Sequence, residues 1–307
     1  MKQDLVSLAD ITVGHFHRLL DESARLAKGG HARLLEGKSV ALLFQKPSLR
    51  TKMSFSVAMT QLGGNAIYLA PEEVGLGKRE TPEDVARVLS RFVQGIVFRA
   101  FDHRDVEVMA KYASVPVINA LSDVEHPCQA LADIYTAQQH LGVLRGKTIA
   151  FIGDGNNVAA SLAFGAAMAG ACFRIASPLG YELPREVLAR ARSLGSACGA
   201  TAEQMVDPWM AVKRADVVYT DVWTSMGQER ETALRQQAFR SYQVTEELFA
   251  LANPDAIFMH PLPAHRNEEV TPAMVDHPRS VVFDQAENRL HVQKALLVDL
   301  LGGRAAL

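Results

Sequence analysis

Short apolar runs alternate with helix-like segments along the whole chain, and this alternation limits the fold more than any other feature. We predict strands at residues 40–44, 66–69, 95–99, 115–119, 148–153, 172–177, 217–221, 256–260 and 281–284. Most are continuous apolar runs, as expected of parallel strands covered on both faces. Helical patterns, such as those at 82–92 and 184–195, separate them. Repeated units of this kind predict an α/β fold with parallel sheets.

The strands form two groups on either side of a long helix-like segment at 127–141. A chain of 307 residues is long for one domain and comfortable for two. We therefore predict two doubly wound parallel-sheet domains, at 1–143 and 144–285, joined by this linking helix. Residues 286–307 are expected to form a C-terminal helix that packs back on the first domain. Ligands in such folds bind at the carboxyl ends of strands.

Composition excludes several classes of partner. The net charge of -2 argues against non-specific binding to nucleic acid or to an acidic membrane surface. There is neither an uncharged apolar stretch of about 18 residues nor the apolar core of a signal peptide, so no membrane partner and a cytoplasmic location are expected. The three cysteines are scattered and form no CxxC pair, which indicates a reducing compartment and no structural zinc site.

Cations and hydroxyls cluster where the first predicted strand gives way to a helix, in the segment KPSLRTK at 46–52. A helix N-terminus has unsatisfied backbone N–H groups and a partial positive charge. With Arg50, Ser48 and Thr51 added, this segment could form an anion cradle suited to phosphate. It could equally be a capped helix start with its cations on a solvated face, and these residues alone leave both interpretations open.

Other polar groups follow other predicted strands. Arg99 ends the third strand, and His126 and Gln129 lie at the opening of the helix at 127–141. The segment HPLPAHR at 260–266 follows another strand. Taken singly, each has an ordinary structural explanation, such as a surface ion pair or a turn. Together they offer phosphate donors, an Arg–His pair that could polarise a carbonyl group, and an amide.

These segments resemble the aspartate/ornithine carbamoyltransferase family. SLRT at 48–51, HPCQ at 126–129, DVWTSMGQE at 221–229 and HPLPAHR at 260–266 occur in the family's order, and the SMG segment resembles the ornithine branch. The resemblance implies transfer of the carbamoyl group of carbamoyl phosphate to the δ-amine of L-ornithine, giving L-citrulline and phosphate for arginine biosynthesis. It also implies a homotrimer, or a multiple of trimers, that needs neither a cofactor nor a metal.

The resemblance assigns roles residue by residue. The residues expected to act in catalysis are Arg50, Thr51, Arg99 and His126. The residues expected to bind carbamoyl phosphate are Ser48, Leu49 (through its backbone N–H), Arg50, Thr51, Arg99, His126, Gln129, Pro261, Leu262 and Arg289. The residues expected to bind ornithine are Asn157, Asp221, Ser225 and Met226. In acyl transfer negative charge develops on the carbonyl oxygen, so preorganised donors such as Arg99, His126 and Thr51 suit the reaction.

Three positions depart from the family pattern. Leu49 stands where the phosphate loop usually has a threonine, and Gly75 stands where a glutamine or histidine is usual. Pro261 replaces the cysteine typical of the ornithine branch, and the resulting HPLP is also the pattern of the aspartate branch.

Three alternatives stay open at this point. The accepting amine could be aspartate or putrescine, or the chain could bind carbamoyl phosphate without turnover. A nicotinamide dehydrogenase is a more distant alternative, because FIGDGNNVAAS half-matches the glycine-rich dinucleotide motif. Its third glycine position is Val158, however, and no acidic residue ends the following strand.

Overall fold

The computed structural model describes residues 2–29, 33–77, 79–225, 227 and 229–302. Within these ranges every strand pairs in parallel and the strands form two sheets, so the predicted α/β fold is confirmed. The strands are β1 (Ser39–Phe44), β2 (Asn65–Leu69), β3 (Gly95–Arg99), β4 (Val117–Leu121), β5 (Thr148–Ile152), β6 (Cys172–Ala176), β7 (Ala202–Met205), β8 (Val217–Thr220) and β9 (Ile257–Met259).

The helices connect these strands on both faces of each sheet. They are α1 (Val13–Ala27), α2 (Leu49–Gln61), α3 (Pro71–Val74), α4 (Pro82–Leu89), α5 (His103–Tyr112), α6 (Pro127–Leu141), α7 (Asn157–Met168), α8 (Arg185–Gly195), α9 (Pro208–Val212), α10 (Thr232–Phe239), α11 (Glu246–Phe249), α12 (Pro272–Val275) and α13 (Val282–Leu301). Among the described residues, no helix has both the length and the apolar character that a membrane crossing requires.

The chain divides into two compact units. The first comprises the residues up to Ala132 and those from Glu287 onward, and the second runs from Asp133 to Ala286. Both limits fall inside helices, α6 and α13. The domain limits expected at 143/144 and 285/286 stay predictions.

The sheet of the first unit has the order β2-β1-β3-β4. β1 pairs with β2 on one side and with β3 on the other. The chain is added on one side of β1 first and then on the opposite side, so β1 is the switch point of the sheet. Phe44, at the end of β1, is in register with Arg99, at the end of β3. The polar segment after β1 and Arg99 therefore meet at the same edge of the sheet, where ligands of doubly wound folds bind.

The sheet of the second unit has the order β7-β6-β5-β8-β9 and switches direction at β5. Ile152 of β5 is in register with Thr220 of β8, so the segments after these two strands also lie side by side. The segment after β5 makes a close approach at Gly155, whose N–H donates to the Tyr181 carbonyl oxygen at 2.9 Å. A Cβ atom at Gly155 would lie only 2.2 Å from the backbone nitrogen of Leu183, which explains why this position is glycine.

The C-terminal helix α13 contributes to the first unit as expected. Lys294 Nζ donates to the Leu26 carbonyl oxygen at 3.1 Å, and the carboxylate of Asp299 lies 2.7 Å from His15 Nε2. The N-terminal part of α13 corrects one prediction, because residues 281–284 do not form a strand. Residues 279–281 run extended beside Phe258, and the helix begins at Val282.

Two further strands depart from the prediction. β4 begins two residues later than the apolar run at 115–119 indicates. β7, with the sequence AEQM, was not predicted; it is a short edge strand without an apolar run.

Candidate active site

The N-terminus of α2 carries the predicted anion cradle of the first unit. Ser48 caps the helix by accepting from the backbone N–H of Thr51 at 3.3 Å, and its hydroxyl donates to Thr51 Oγ1 at 3.0 Å. Thr51 is fully buried and also accepts from Arg289 Nη2 at 2.6 Å. The helix start and Arg289 are thereby joined through one hydroxyl. Leu49 is the first residue of the helix, and its side chain is 73% exposed.

Arg99 lies beside this helix start because its strand pairs with β1. The carbonyl oxygen of Arg99 accepts from the Gln45 backbone N–H at 2.8 Å, which fixes the segment after β1 to the end of β3. The guanidinium is buried, and its Nε makes no hydrogen bond within the described part of the chain. Burial, followed by the charges of Arg289 and Arg50, lowers the pKa of Arg99 to about 10. The three guanidinium groups are therefore close enough to repel one another.

His126 lies immediately before α6 and is buried in the same cluster. Its carbonyl oxygen accepts from the backbone N–H groups of Gln129 and Ala130, at 3.0 and 3.2 Å, in the first turn of that helix. Burial, then the charges of Arg289, Arg99 and Arg50, holds the pKa of His126 well below its ordinary value. The imidazole is consequently neutral at physiological pH and can act in hydrogen bonding but not as a charged acid.

The segment before His126 is anchored by a buried carboxylate. Glu125 accepts from the backbone N–H of Leu8 at 3.1 Å and from the hydroxyl of Ser7. Gln129 lies one turn along α6 from His126 and is 1% exposed. The structure thus brings together the predicted residues Ser48, Arg50, Thr51, Arg99, His126, Gln129 and Arg289 in one unit. A helix N-terminus surrounded by guanidinium groups suits a phosphate dianion, whose charge would remove their repulsion.

In the second unit, Asp221 follows β8 and faces the segment after β5. Its carboxylate accepts from Asn156 Nδ2 at 2.9 Å and from the backbone N–H of Val222 at 2.8 Å. Burial raises the pKa of Asp221, while the nearby His260 opposes the rise. A buried carboxylate with a raised pKa has an incomplete charge partner, and an ammonium group would supply one.

Asn156 is a residue of this site that the sequence did not reveal. Its side-chain oxygen caps α7 by accepting from Val158 N and Ala159 N, at 3.0 and 3.1 Å, while its amide group donates to Asp221. Asparagine immediately before a helical run is a typical N-cap, so this signal was available in the sequence. Asn157, which was predicted instead, is the first residue of α7.

Ser225, another predicted ornithine contact, is half-buried at the end of the same segment as Asp221. Met226 lies outside the described residues. Trp223 lies between Asp221 and Ser225 in the sequence. Its side chain is 5% exposed and stacks on Phe239 with 6.0 Å between ring centroids, which is a packing role.

The segment with Pro261 and Leu262 belongs to the second unit and is held by His260. The ring Nδ1 of His260 accepts from the Leu262 backbone N–H at 2.9 Å, and Nε2 lies 3.0 Å from Glu269 Oε1. His260 N donates to Gln285 Oε1 at 2.9 Å. Leu262 has a φ of 55°, and its bond to Pro263 is cis. The Pro261 carbonyl group shares a peptide plane with the Leu262 N–H, so its direction is set by the bond to His260.

Among the described residues, one group of side chains has the arrangement of possible metal ligands. His265, Glu268 and Glu269 place ligand atoms within 4.8 Å of one another. Glu269 Oε1 already accepts from the backbone N–H of His265 at 2.6 Å, in addition to its contact with His260. The carboxylate of Glu269 therefore serves the loop after β9.

These two clusters, each at the switch point of a parallel sheet, define a two-domain α/β enzyme that handles a phosphorylated compound and an amine. Residues 3–139 match the family model described as aspartate/ornithine carbamoyltransferase, carbamoyl-P binding domain. Residues 145–300 match the model of the Asp/Orn binding domain of the same family. The chain therefore belongs to the aspartate/ornithine carbamoyltransferase family.

Individual relatives agree. The chain is 51% identical to an ornithine carbamoyltransferase of Pyrococcus abyssi over 306 residues, which cover 98% of this chain and 96% of that protein. It is also 51% identical to an anabolic ornithine carbamoyltransferase of Pyrococcus furiosus, covering 98% and 97% of the two chains. The solved structure of the ornithine carbamoyltransferase from Pyrococcus furiosus superimposes with a TM-score of 0.95 at 50% identity, covering 98% of each chain.

We predict that Arg99→Met weakens phosphate binding without destabilising the free protein. Because the pKa of Arg99 is lowered to about 10, its charged form costs folding free energy at pH values below about 10, and the cost is relieved as the pH rises from about 10 towards 12.5. At pH 8 the substitution should leave the thermal midpoint unchanged or higher. Binding of inorganic phosphate should weaken about 10- to 150-fold, the equivalent of one charge-assisted hydrogen bond.

Thermal denaturation at pH 8 across a phosphate titration measures both effects. Arg87→Met is the matched control, because Arg87 is an exposed arginine of the first unit that lies outside the cluster. Its guanidinium pairs with Asp84 at 3.0 Å and lies 4.9 Å from the ring centroid of Tyr112. It should respond to phosphate as the wild type does. A variant at Arg99 that melts several degrees lower, yet keeps the full response to phosphate, would contradict the assignment.

Proposed function

We propose that this chain catalyses the ornithine carbamoyltransferase reaction, in which the carbamoyl group of carbamoyl phosphate passes to the δ-amine of L-ornithine. The observation that carries the proposal is the cluster of Arg50, Arg99 and Arg289 around a neutral His126 at the N-terminus of α2. Curated relatives with about half of their residues identical are named for the same reaction, and one is called anabolic. We therefore assign the activity to arginine biosynthesis.

The first unit binds the carbamoyl phosphate in this proposal. The phosphate lies at the start of α2, against the hydroxyl of Ser48, the N–H of Leu49 and the side chain of Arg50. Arg99 and Arg289 complete the charge that a dianion requires. Gln129 faces the carbamoyl amide, as the family resemblance implies. The same resemblance assigns the backbone carbonyl groups of Pro261 and Leu262, which belong to the second unit, as acceptors of hydrogen bonds from the carbamoyl NH2 group.

The chemical step forms a bond between the δ-nitrogen and the carbamoyl carbon and breaks the bond from that carbon to the phosphate oxygen. Negative charge develops on the carbonyl oxygen, and Arg99, Thr51 and His126 stabilise it by hydrogen bonding. The δ-ammonium group, with an ordinary pKa of about 10.4, must first lose one proton to water. The attacking nitrogen loses a second proton as the new bond forms, and the departing phosphate accepts that proton. The amine itself is the nucleophile, so no side chain needs to form a covalent intermediate.

The second unit binds ornithine. Asp221 accepts hydrogen bonds from the α-ammonium group, and Asn157, Ser225 and Met226 hold the rest of the amino-acid head. Asp221 suits this role because it is buried and already oriented by Asn156 and by the backbone of Val222. Opposite charge in a buried site gives strong and specific recognition.

A second candidate is transfer to another amine, such as aspartate or putrescine. The observation that favours it is the HPLP segment, in which Pro261 lacks the thiol typical of the ornithine branch. A third candidate, binding of carbamoyl phosphate without turnover, has less support because Arg50, Arg99, His126 and Gln129 are all retained.

Steady-state assays with three amines separate these candidates. The purified chain is given carbamoyl phosphate with ornithine, aspartate or putrescine, and both phosphate release and the carbamoylated product are measured. We expect citrulline as the main product, with kcat/KM for ornithine at least about 100-fold above the other amines, as expected when the site binds both charged groups of the amino acid. Phosphate release without citrulline, or binding without any product, would reject the proposal.

Asp221→Asn should raise the KM for ornithine about 10- to 150-fold, because it removes one charge-assisted hydrogen bond to the ammonium group. The KM for carbamoyl phosphate should stay within about twofold, since the phosphate cluster belongs to the other unit. The matched control is the double variant Asp221→Asn with Asn156→Asp, which keeps an amide facing a carboxylate and keeps the cap of α7. If Asp221→Asn alone bound ornithine as the wild type does, Asp221 would not be the ammonium partner.

We also propose a homotrimer or a multiple of trimers, following the family resemblance. Its support in this chain is apolar surface on the first unit, where Leu49 and Met53 are 73% and 52% exposed one turn apart on α2. Ile67 of the edge strand β2 is 43% exposed. Exposed apolar groups of this size are typical of protein contacts. Light scattering should give a multiple of three times the 33.5 kDa chain, and a monomer would contradict the proposal.

A cytoplasmic location is the last part of the proposal. Cys128, Cys172 and Cys198 are all free, which suits a reducing compartment. Burial raises the pKa of the Cys128 thiol to about 12, so this thiol is protonated and unreactive. Recovery of the native chain in a membrane or secreted fraction would argue against this location.

A further inference from the structure

One arginine of the second unit joins the two segments that carry the ornithine residues. Arg235, on α10, directs Nη1 to Asp154 Oδ2 and to the carbonyl oxygen of Trp223, both at 2.9 Å. Its Nε donates to Glu231 Oε2 at 3.1 Å, and its guanidinium lies 5.0 Å from the ring centroid of Tyr181. The side chain is only 8% exposed.

The partners of Arg235 identify what it holds. Asp154 lies in the segment after β5, two residues before Asn156. Trp223 lies in the segment after β8, two residues beyond Asp221. The direct hydrogen bond from Asn156 to Asp221 is the second link between the same segments. Arg235 and Asn156 thus fix the position of Asp221 from both sides.

Electrostatics give the same residue a second effect. Burial raises the pKa of Asp154, the charge of Arg235 opposes the rise, and the nearby Asp221 and Glu231 add to it. Without Arg235, Asp154 would be a buried carboxylate close to another buried carboxylate, with no cation to offset it. Such a group either takes up a proton or draws in water, and both outcomes disturb the segment that follows it.

We propose that Arg235 is a positioning residue for recognition of the amino-acid substrate. It does not touch the substrate; it holds the 221–225 segment against the segment after β5, so that Asp221 meets the ammonium group in one fixed orientation. This inference rests on the proposed function. An arginine is required because two acceptors, a carboxylate on its own helix and an aromatic ring must be satisfied together, which a lysine ammonium cannot do.

The test measures the kinetic constants for each substrate in turn. Arg235→Met should raise the KM for ornithine at least about tenfold, because a displaced Asp221 would bind the ammonium group less tightly. The KM for carbamoyl phosphate should stay within about twofold and kcat within about fivefold. Arg235→Lys should recover part of the ornithine affinity, because the charge opposite Asp154 returns without the second hydrogen bond.

Asp154→Asn reports on the pair from the other side. Alone it should raise the KM for ornithine less than Arg235→Met does, because the bond to the Trp223 carbonyl group survives. Combined with Arg235→Met it should cause less than the product of the two single effects, because both substitutions break the same ion pair. If Arg235→Met does not fold, the Lys and Asn variants carry the same test.

Arg279→Met is the matched structural control. Arg279 also donates to backbone carbonyl groups, with its Nη1 2.7 Å from the Pro254 oxygen, and lies over an aromatic ring, 4.4 Å from the centroid of Phe249. It contacts neither substrate segment, so its loss should lower the thermal midpoint and leave both KM values unchanged. The inference is overturned if folded Arg235 variants keep the wild-type KM for ornithine, or if both KM values change together. Absence of citrulline formation by the wild type would instead reject the proposed function.

Discussion

Repulsion among like charges is the interaction on which the rest of the first unit depends. Arg50, Arg99 and Arg289 lie together beside a neutral His126, and burial, followed by the charges of Arg289 and Arg50, lowers the pKa of Arg99 to about 10. A folded protein is only marginally stable, so the free-energy cost of clustering these cations must be offset by the strands, helices and contacts around them. Parallel pairing of β1 with β3 and the cap of α2 provide that frame. A dianion bound there would turn the repulsion into attraction.

The two units use the same topology for opposite charges. Each sheet switches direction at its first strand, β1 or β5, and each places a helix start beside a neighbouring strand end. The start of α2 stands among cations. In α7, by contrast, the Asn156 side chain accepts from the backbone N–H groups of Val158 and Ala159, and Asp221 lies alongside. A helix start that is capped in this way and faces a carboxylate does not suit a pyrophosphate, which argues physically against dinucleotide binding by the GDGNN segment.

The sequence was most informative where one local pattern decides the structure. Helix α6 has the predicted bounds 127–141, because Pro127 begins it and apolar periodicity continues to its end. A short and mostly apolar segment such as 281–284 cannot distinguish a strand from the first turn of a helix, and here residues 282–284 begin a helix. The cap formed by Asn156 was readable in the sequence, but its bond to Asp221 and the role of Arg235 were not. These are contacts between segments far apart in the chain: Arg235 and Asp154 are 81 residues apart.

Two departures from the family pattern have local physical explanations. Gly75 ends helix α3 with a φ of 61°, a left-handed conformation that strains any residue with a Cβ atom, and such an atom would lie 3.0 Å from Arg79 Cβ. A glutamine or histidine at this position would therefore strain the turn. Leu49 replaces the hydroxyl of a threonine with an apolar group. It is the first residue of α2, and its backbone N–H at the helix start does not depend on the side chain. Its side chain is exposed, so the substitution changes the surface of the unit and leaves the backbone at the start of α2 unchanged.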